Sequence, residues 1–249
     1  MQEQSVITLN NPKSPASEAY RVLRTNIQYS SIDNPLKILT ITSAGPEEGK
    51  TTTVINIAVA FVQSGNRVLI IDGDMRKPKL HKILGVVNSN GLTSILVNRA
   101  DYKDYVRKTK LEGLEIITCG AIPPNPSELL ESNQMKLLVQ QVKEDYDMVI
   151  IDSPPVVSVT DAAIISAIVD GTILVAGAGS VDKSNLKRAK EYLLKVNANI
   201  IGVVLNKFDI NSMGKYYHYN YYYGEGGVSK KRKKREKSKH RSHGIGTNV

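Results

Sequence analysis

The chain has 249 residues, 41% apolar and 23% charged, with a single cysteine and a formal net charge of +9. Such a length supports one α/β domain with a substantial core, and the lone Cys119 excludes an internal disulfide. Nine Lys or Arg against one Glu fall between Lys230 and Arg241, so that run carries +8 and leaves about +1 for the rest; a basic nucleic-acid-binding face on the folded domain is therefore not expected.

The start, MQEQSVITLN, has neither a basic leader nor an apolar stretch, and no apolar run approaches the ~18 residues of a spanning helix. The expected location is cytoplasmic, with any membrane contact peripheral. A first helix begins near Ser14, which can cap it, has Pro15 at its first position and runs through Tyr29. Pro35 resets the chain, and an apolar strand follows over Leu36 to Thr42. Helix Thr51 to Ser64 ends at Gly65, strand Arg67 to Asp72 follows, and further strands lie at Leu114 to Thr118, Asp147 to Asp152, Thr172 to Ala176 and Ile200 to Asn206. Between them come helices at Glu128 to Glu144, after a Pro-rich turn, at Asp161 to Ile168, and at Lys183 to Val196. Strands alternating with helices indicate a doubly wound, mostly parallel sheet covered on both faces. Apolar periodicity stops after Asp209. The expected organisation is an N-terminal helical segment (1–35), a nucleotide-binding domain (36–210) and a disordered tyrosine-rich and polybasic tail (211–249).

Residues Ala44 to Thr52 read AGPEEGKTT between the first strand and an apolar helix. This is a phosphate-binding loop of the P-loop NTPase type, although Ala44 stands where the strict pattern has glycine. Small residues let the backbone of Gly45, Pro46, Glu47, Glu48, Gly49, Lys50, Thr51 and Thr52 curl so that its N–H groups cradle phosphate at a helix N-terminus. Lys50 would reach the β and γ phosphates of ATP, and the Thr51 hydroxyl would ligate Mg2+. Two further strands stop at carboxylates, in VLIIDGDMR (Val68 to Arg76) and MVIIDSPP (Met148 to Pro155). A buried Asp at a strand end needs a cation or hydrogen-bond donors. Asp152 is the expected magnesium carboxylate, Asp72 can assist from the neighbouring strand, and Asp74 would project over the same pocket.

Residues 216 to 223 read YYHYNYYY, six of the chain's twelve tyrosines, in a segment with neither helical nor strand alternation. A core cannot use aromatics there. On a chain with a phosphate-transferring domain, Tyr216, Tyr217, Tyr219, Tyr221, Tyr222 and Tyr223 read as phosphoacceptors rather than as a stacking or aggregation-prone patch. A phenol is mostly protonated at neutral pH, so a carboxylate should take its proton; Asp74 is the expected base and Asp72 the alternative.

Taken together, AGPEEGKT, the Asp72-x-Asp74-x-Arg76 site, the Asp152-Ser153-Pro154-Pro155 strand end, IPPNPSELL from Ile122 to Leu130, and the tyrosine-rich tail resemble the bacterial tyrosine kinases of capsule and exopolysaccharide synthesis. Glu18, Arg21 and Arg24 fit too, in the spacing Glu-x-x-Arg-x-x-Arg. From the residues alone, these three form a solvated helix face with one salt-bridgeable acid and two guanidiniums. The resemblance implies that they build an intersubunit contact in a ring, an octamer by family resemblance, with phosphorylation in trans. It also implies a membrane-embedded activator protein that holds the kinase peripherally at the inner face of the membrane, and protein substrates in polysaccharide synthesis. The basic run 230–241 could touch anionic lipid, and no specific nucleic acid is expected. Two other readings compete. A partitioning-type ATPase switch would carry an extra Lys early in the loop, where this chain has Gly45; a GTPase would use the Asn206-Lys207-x-Asp209 match to read guanine, whereas Asn206 is expected at the adenine edge. Neither HRD nor DFG of the eukaryotic-type kinases occurs.

Overall fold

The computed structural model describes residues 6–31, 34–179 and 181–208. In chain order the elements are α1 (Ile7–Asn10), α2 (Pro15–Tyr29), β1 (Ile38–Ser43), α3 (Lys50–Val62), β2 (Val68–Asp72), α4 (Leu80–Leu84), α5 (Leu92–Asn98), a 3₁₀ turn (Tyr102–Tyr105), β3 (Arg107–Lys108), β4 (Leu114–Ile117), α6 (Pro126–Glu131), α7 (Asn133–Asp145), β5 (Met148–Asp152), α8 (Asp161–Ser166), β6 (Gly171–Gly177), α9 (Lys183–Lys195) and β7 (Ile200–Asn206). The seven strands form one sheet in the order β3-β4-β2-β5-β1-β6-β7, with β3 alone antiparallel.

Every residue of β1, β2, β5 and β6 is buried, as a parallel sheet with both faces covered requires. Side chains alternate between the two cores. Leu39, Ile41, Val68, Ile70, Met148 and Ile150 pack on the α3 side, while Ile38, Leu69, Ile71, Val149 and Ile151 pack on the side of α5 and α7. Helix α3 is buried continuously from Thr53 to Phe61 because the sheet lies on one side and α1 and α2 on the other. That explains an apolar run with no polar face. Its buried amide, Asn56, accepts hydrogen bonds from the Thr8 N–H and hydroxyl at 3.0 and 2.9 Å and donates to the Thr52 carbonyl at 2.9 Å.

The expected strands and most helices are present, with four differences of physical origin. The first strand begins at Ile38 rather than Leu36, because Asp170 Oδ2 takes the N–H groups of Lys37 and Ile38 at 2.9 and 3.0 Å. The helix expected from Glu128 to Glu144 is two helices. Ser132 adopts an extended conformation between them, its hydroxyl donating to the Leu129 carbonyl at 2.7 Å and accepting the Met135 N–H, so one serine closes α6 and caps α7. The interval between β2 and β4, left without elements by the periodicity, holds α4, α5, the 3₁₀ turn and β3, all too short for a repeat of apolar residues to register. Finally, α3 starts at Lys50 and ends at Val62, two residues before Ser64, whose hydroxyl donates to the Phe61 carbonyl. The tail tyrosines and the basic run lie outside the described residues.

Candidate active site

The site is assembled at the carboxyl ends of the adjacent strands β1, β2 and β5: Asp72 and Asp152, the last residues of β2 and β5, pair in register, and Asp152 also pairs with Ile41, two residues before the end of β1. After β1 the chain turns through Glu47 and Gly49, both with positive φ (61° and 92°), and Gly49 delivers Lys50 as the first residue of α3. Buried Glu48 folds its carboxylate back to accept the N–H groups of Ala44 and Gly45 at 3.2 and 3.0 Å, so the loop is tied by its own acid. Burial outweighs those hydrogen bonds and nearby Lys207 and raises the Glu48 pKa. Thr53 secures the other side, its hydroxyl donating to the Gly49 carbonyl at 3.0 Å.

Lys50 Nζ lies 2.9 Å from Asp74 Oδ2 and 3.5 Å from Asp152 Oδ1, and the Thr51 hydroxyl donates to Asp152 Oδ2 at 2.7 Å. Asp72, Asp74 and Asp152 are respectively 0%, 6% and 1% exposed, so three carboxylates share one lysine away from water. The energetics follow from that count. Burial opposes the charge on Lys50, yet Asp152 and Asp74 together overcome it and hold its pKa above the ordinary lysine value. Asp152 is pushed upward by burial, with Lys50 and Thr51 pulling the other way. Asp72 is raised well above the ordinary value by burial and by the charges of Asp152 and Asp74. It accepts only a long bond from the Leu80 N–H, 3.3 Å, and its Oδ1 is buried with no partner among the described residues. Asp74 Oδ1 accepts the Lys77 N–H at 3.0 Å.

Of the residues expected at the loop and strand ends, Lys50, Thr51, Asp74 and Asp152 are thus brought into contact, with Asp72 beside them. Among the described residues no three His, Cys, Asp or Glu side chains form a ready metal cage. Thr51 with Asp152, plus the unpartnered Oδ1 of Asp72, nevertheless offers the hard oxygen donors that suit a magnesium ion completed by phosphate oxygens. Asn206, at the end of β7, lies on the loop itself, donating its amide to the Glu48 carbonyl at 3.0 Å. The three helix residues Glu18, Arg21 and Arg24 are elsewhere. Arg21 bonds Glu18 at 2.7 Å and the Pro12 carbonyl at 2.6 Å, whereas Arg24 does not belong to a solvated face: it is partly buried and donates to the Ala60 carbonyl of α3 at 3.2 Å. Sequence reasoning missed the carboxylate lock of Glu48 and the partners of Arg76, namely Asp161 and Ser127. Asp161 was visible only as a helix start.

Residues 36–179 match the AAA domain family. The chain is 41% identical to the tyrosine-protein kinase YwqD of Bacillus subtilis over 87% of this chain and 92% of that protein. The chain belongs to the bacterial tyrosine-protein kinases. Its structure is similar to that of the chimerical protein CapA2B2 (TM-score 0.79, 41% identity, 82% of this chain and 90% of that one). It is also similar to the kinase domain of the Escherichia coli tyrosine kinase ETK (TM-score 0.80, 33% identity, 84% and 82%). The kinase is therefore a P-loop enzyme that phosphorylates tyrosine, and the partitioning-type ATPase reading gives way.

Proposed function

We propose that this kinase transfers the γ-phosphoryl group of ATP to the tyrosines 216, 217, 219, 221, 222 and 223 of a neighbouring copy, and that it regulates capsular and exopolysaccharide synthesis. The observation that carries the reading is the convergence of Lys50 and Thr51 with Asp72, Asp74 and Asp152 at three adjacent strand ends. Phosphoryl transfer is mostly positioning and charge neutralisation. The loop N–H groups from Gly45 to Thr52 hold the phosphates, and Lys50 leaves its carboxylates for the β and γ oxygens. Thr51, Asp72 and Asp152 would hold magnesium, which neutralises phosphate charge. Asn206 gives up its bond to the Glu48 carbonyl to meet the adenine edge. The phenol oxygen forms the new bond to phosphorus, the bond to the β-phosphate oxygen breaks, ADP leaves, and the phenolic proton passes to a carboxylate. Asp74 suits that last task better than Asp72, since it retains some exposure and lies against Lys50, whereas Asp72 is fully buried.

The Glu18, Arg21 and Arg24 helix would contact the adjacent subunit of a ring, an octamer by family resemblance, with residues 36–210 as the kinase domain and 211–249 as the substrate tail. Several phosphates on one tail repel one another and loosen the ring. No helix among the described residues is long and apolar enough to cross a membrane; a membrane-embedded activator would hold the kinase at the inner face, aided by the basic run 230–241 on anionic lipid. The test is phosphotyrosine blotting and intact mass with magnesium and ATP, with the activator's cytoplasmic tail added. Wild type, Lys50→Met, a variant with all six tail tyrosines changed to Phe, and a mixture of these two variants are compared. Phosphate on the Lys50→Met chain in the mixture establishes transfer in trans. ATP hydrolysis without phosphotyrosine in any sample would refute tail phosphorylation.

A further inference from the structure

Arg76 stands two residues beyond Asp74, on the loop that leaves β2, and its guanidinium is taken up by two other elements. Nε and Nη2 reach Asp161 Oδ2 and Oδ1 at 2.8 and 3.0 Å, a bidentate pair, and Nη2 also reaches the Ser127 hydroxyl at 3.1 Å. That hydroxyl in turn donates to Asp161 Oδ1 at 2.8 Å. Asp161 opens α8, and Ser127 is the second residue of α6. The Asp161 side chain is fully buried while that of Arg76 is 39% exposed. A buried carboxylate must be matched, and here its partners are one guanidinium and one hydroxyl. The three residues close a triangle that ties the β2 loop to the starts of both helices.

We propose that Arg76, Asp161 and Ser127 are positioning residues for phosphoryl transfer, a clamp that fixes Asp74 over the pocket. The inference rests on the reading of Asp74 as the base. The two carboxylate oxygens of Asp74 are held by Lys50 Nζ and by the Lys77 N–H. Once Lys50 turns to phosphate, Asp74 keeps the Lys77 bond, whose donor belongs to the loop that Arg76 anchors. The root of that loop is fixed by the Gly73 N–H on the Asp152 carbonyl at 2.8 Å and by the buried Met75 side chain. The clamp adds the polar restraint beyond Asp74, on the side away from the strand. Misplacing a base by an ångström costs roughly a hundredfold in rate without touching the phosphate loop.

The test measures phosphotyrosine formation by the full chain, with the activator's cytoplasmic tail present, for Arg76→Ala, Arg76→Lys, Asp161→Asn, Ser127→Ala, Asp74→Asn and the Arg76→Ala/Asp161→Asn double variant. Binding of a fluorescent ATP analogue and thermal melting are recorded alongside. Arg76→Ala and Asp161→Asn should lower kcat about 10- to 100-fold with KM for ATP and analogue affinity within about threefold, and the double variant should be no worse than the poorer single. Arg76→Lys should not rescue, since an ammonium cannot bridge both oxygens as a guanidinium does, and Ser127→Ala should lose about threefold. Wild-type kcat in Arg76→Ala and Asp161→Asn with Asp74→Asn inactive would overturn the clamp alone. Loss of analogue binding and kcat together would overturn it as mere structural support. An active Asp74→Asn would overturn the base assignment, and the clamp with it.

Discussion

Replacing Gly49 by alanine isolates one contact that the phosphate loop makes with the far edge of the sheet. Gly49 has φ +92° at the N-cap of α3, and an added Cβ would stand 1.8 Å from Asn206 Nδ2. Two costs follow. The left-handed backbone costs an L residue ~1–2 kcal/mol, and Asn206 must swing aside, losing its 3.0 Å bond to the Glu48 carbonyl, a net loss of ~0.5–1.5 kcal/mol. Gly49→Ala should therefore destabilise the protein by ~2–3 kcal/mol, which at 2–4 °C per kcal/mol lowers Tm by roughly 5–10 °C. Asn206→Ala alone should cost about 1 kcal/mol. Because the displaced Asn206 has already lost its bond, the double variant should cost little more than Gly49→Ala, with an interaction energy near 1 kcal/mol. Urea unfolding followed by circular dichroism gives all three values without nucleotide. Additivity within about 0.3 kcal/mol would refute the contact between Asn206 and the loop, and a Gly49→Ala loss below ~1 kcal/mol would refute the strain.

Lys50→Met should abolish phosphotyrosine formation and also cost ~3 kcal/mol of stability at neutral pH, because Asp74 and Asp152 lose their cation; the deficit should shrink on acidification as the already raised Asp152 protonates, and a pH-independent deficit would contradict the ion cluster. Asp72 has a folded pKa above its unfolded value, so its contribution to stability is complete below about 3.8 and is lost as pH rises through the folded pKa. Asp72→Asn removes that loss: without ligand it should melt higher than wild type at pH 7 to 8, with the gap closing toward pH 4, and an equal or lower Tm at pH 8 would sink the assignment. Asn56→Ala orphans the buried Thr8 N–H and hydroxyl and should cost ~2–3 kcal/mol in thermal melting. Thr8→Val, which removes the hydroxyl alone, should cost about half of that.

The sheet was legible because both of its faces are covered. The covered strands read as unbroken apolar runs, two of them ending in Asp72 and Asp152, and a helix of period 3.6 fits between most of them; β7, ending in Asn206, reads the same although its Val203 and Leu205 are exposed. What periodicity misses are elements whose ends are set by one side chain from far away. Asp170, 133 residues from Lys37, delays the start of β1. Ser132 splits what apolar spacing presents as a single helix, because a hydroxyl that can cap in either direction leaves no trace in the hydrophobic pattern. The short helices α4 and α5 are held by tertiary contacts, with Leu80, Leu84, Leu92 and Ile95 buried, rather than by propensity.

The site divides along the same line. Lys50, Thr51 and the carboxylates at strand ends could be named from sequence because their chemistry demands particular residue types at particular ends of elements. The lock made by Glu48 could not, since spacing counts that residue only as one of the loop's backbone positions, and its own role shows once its carboxylate is seen on the Ala44 and Gly45 N–H groups. Nor could Asp161, which lies 85 residues from Arg76 and looks like any acid at a helix start. Arg24 makes the point most sharply. Spacing places it with Glu18 and Arg21 on one helix face, yet its guanidinium takes the carbonyl of Ala60 near the carboxyl end of α3, where a cation also meets the negative end of the helix dipole. One 13-residue helix thus carries the phosphate loop at its amino end and an arginine of α2 at the other. Local sequence specifies each end separately; only the packing of α2 on α3 joins them.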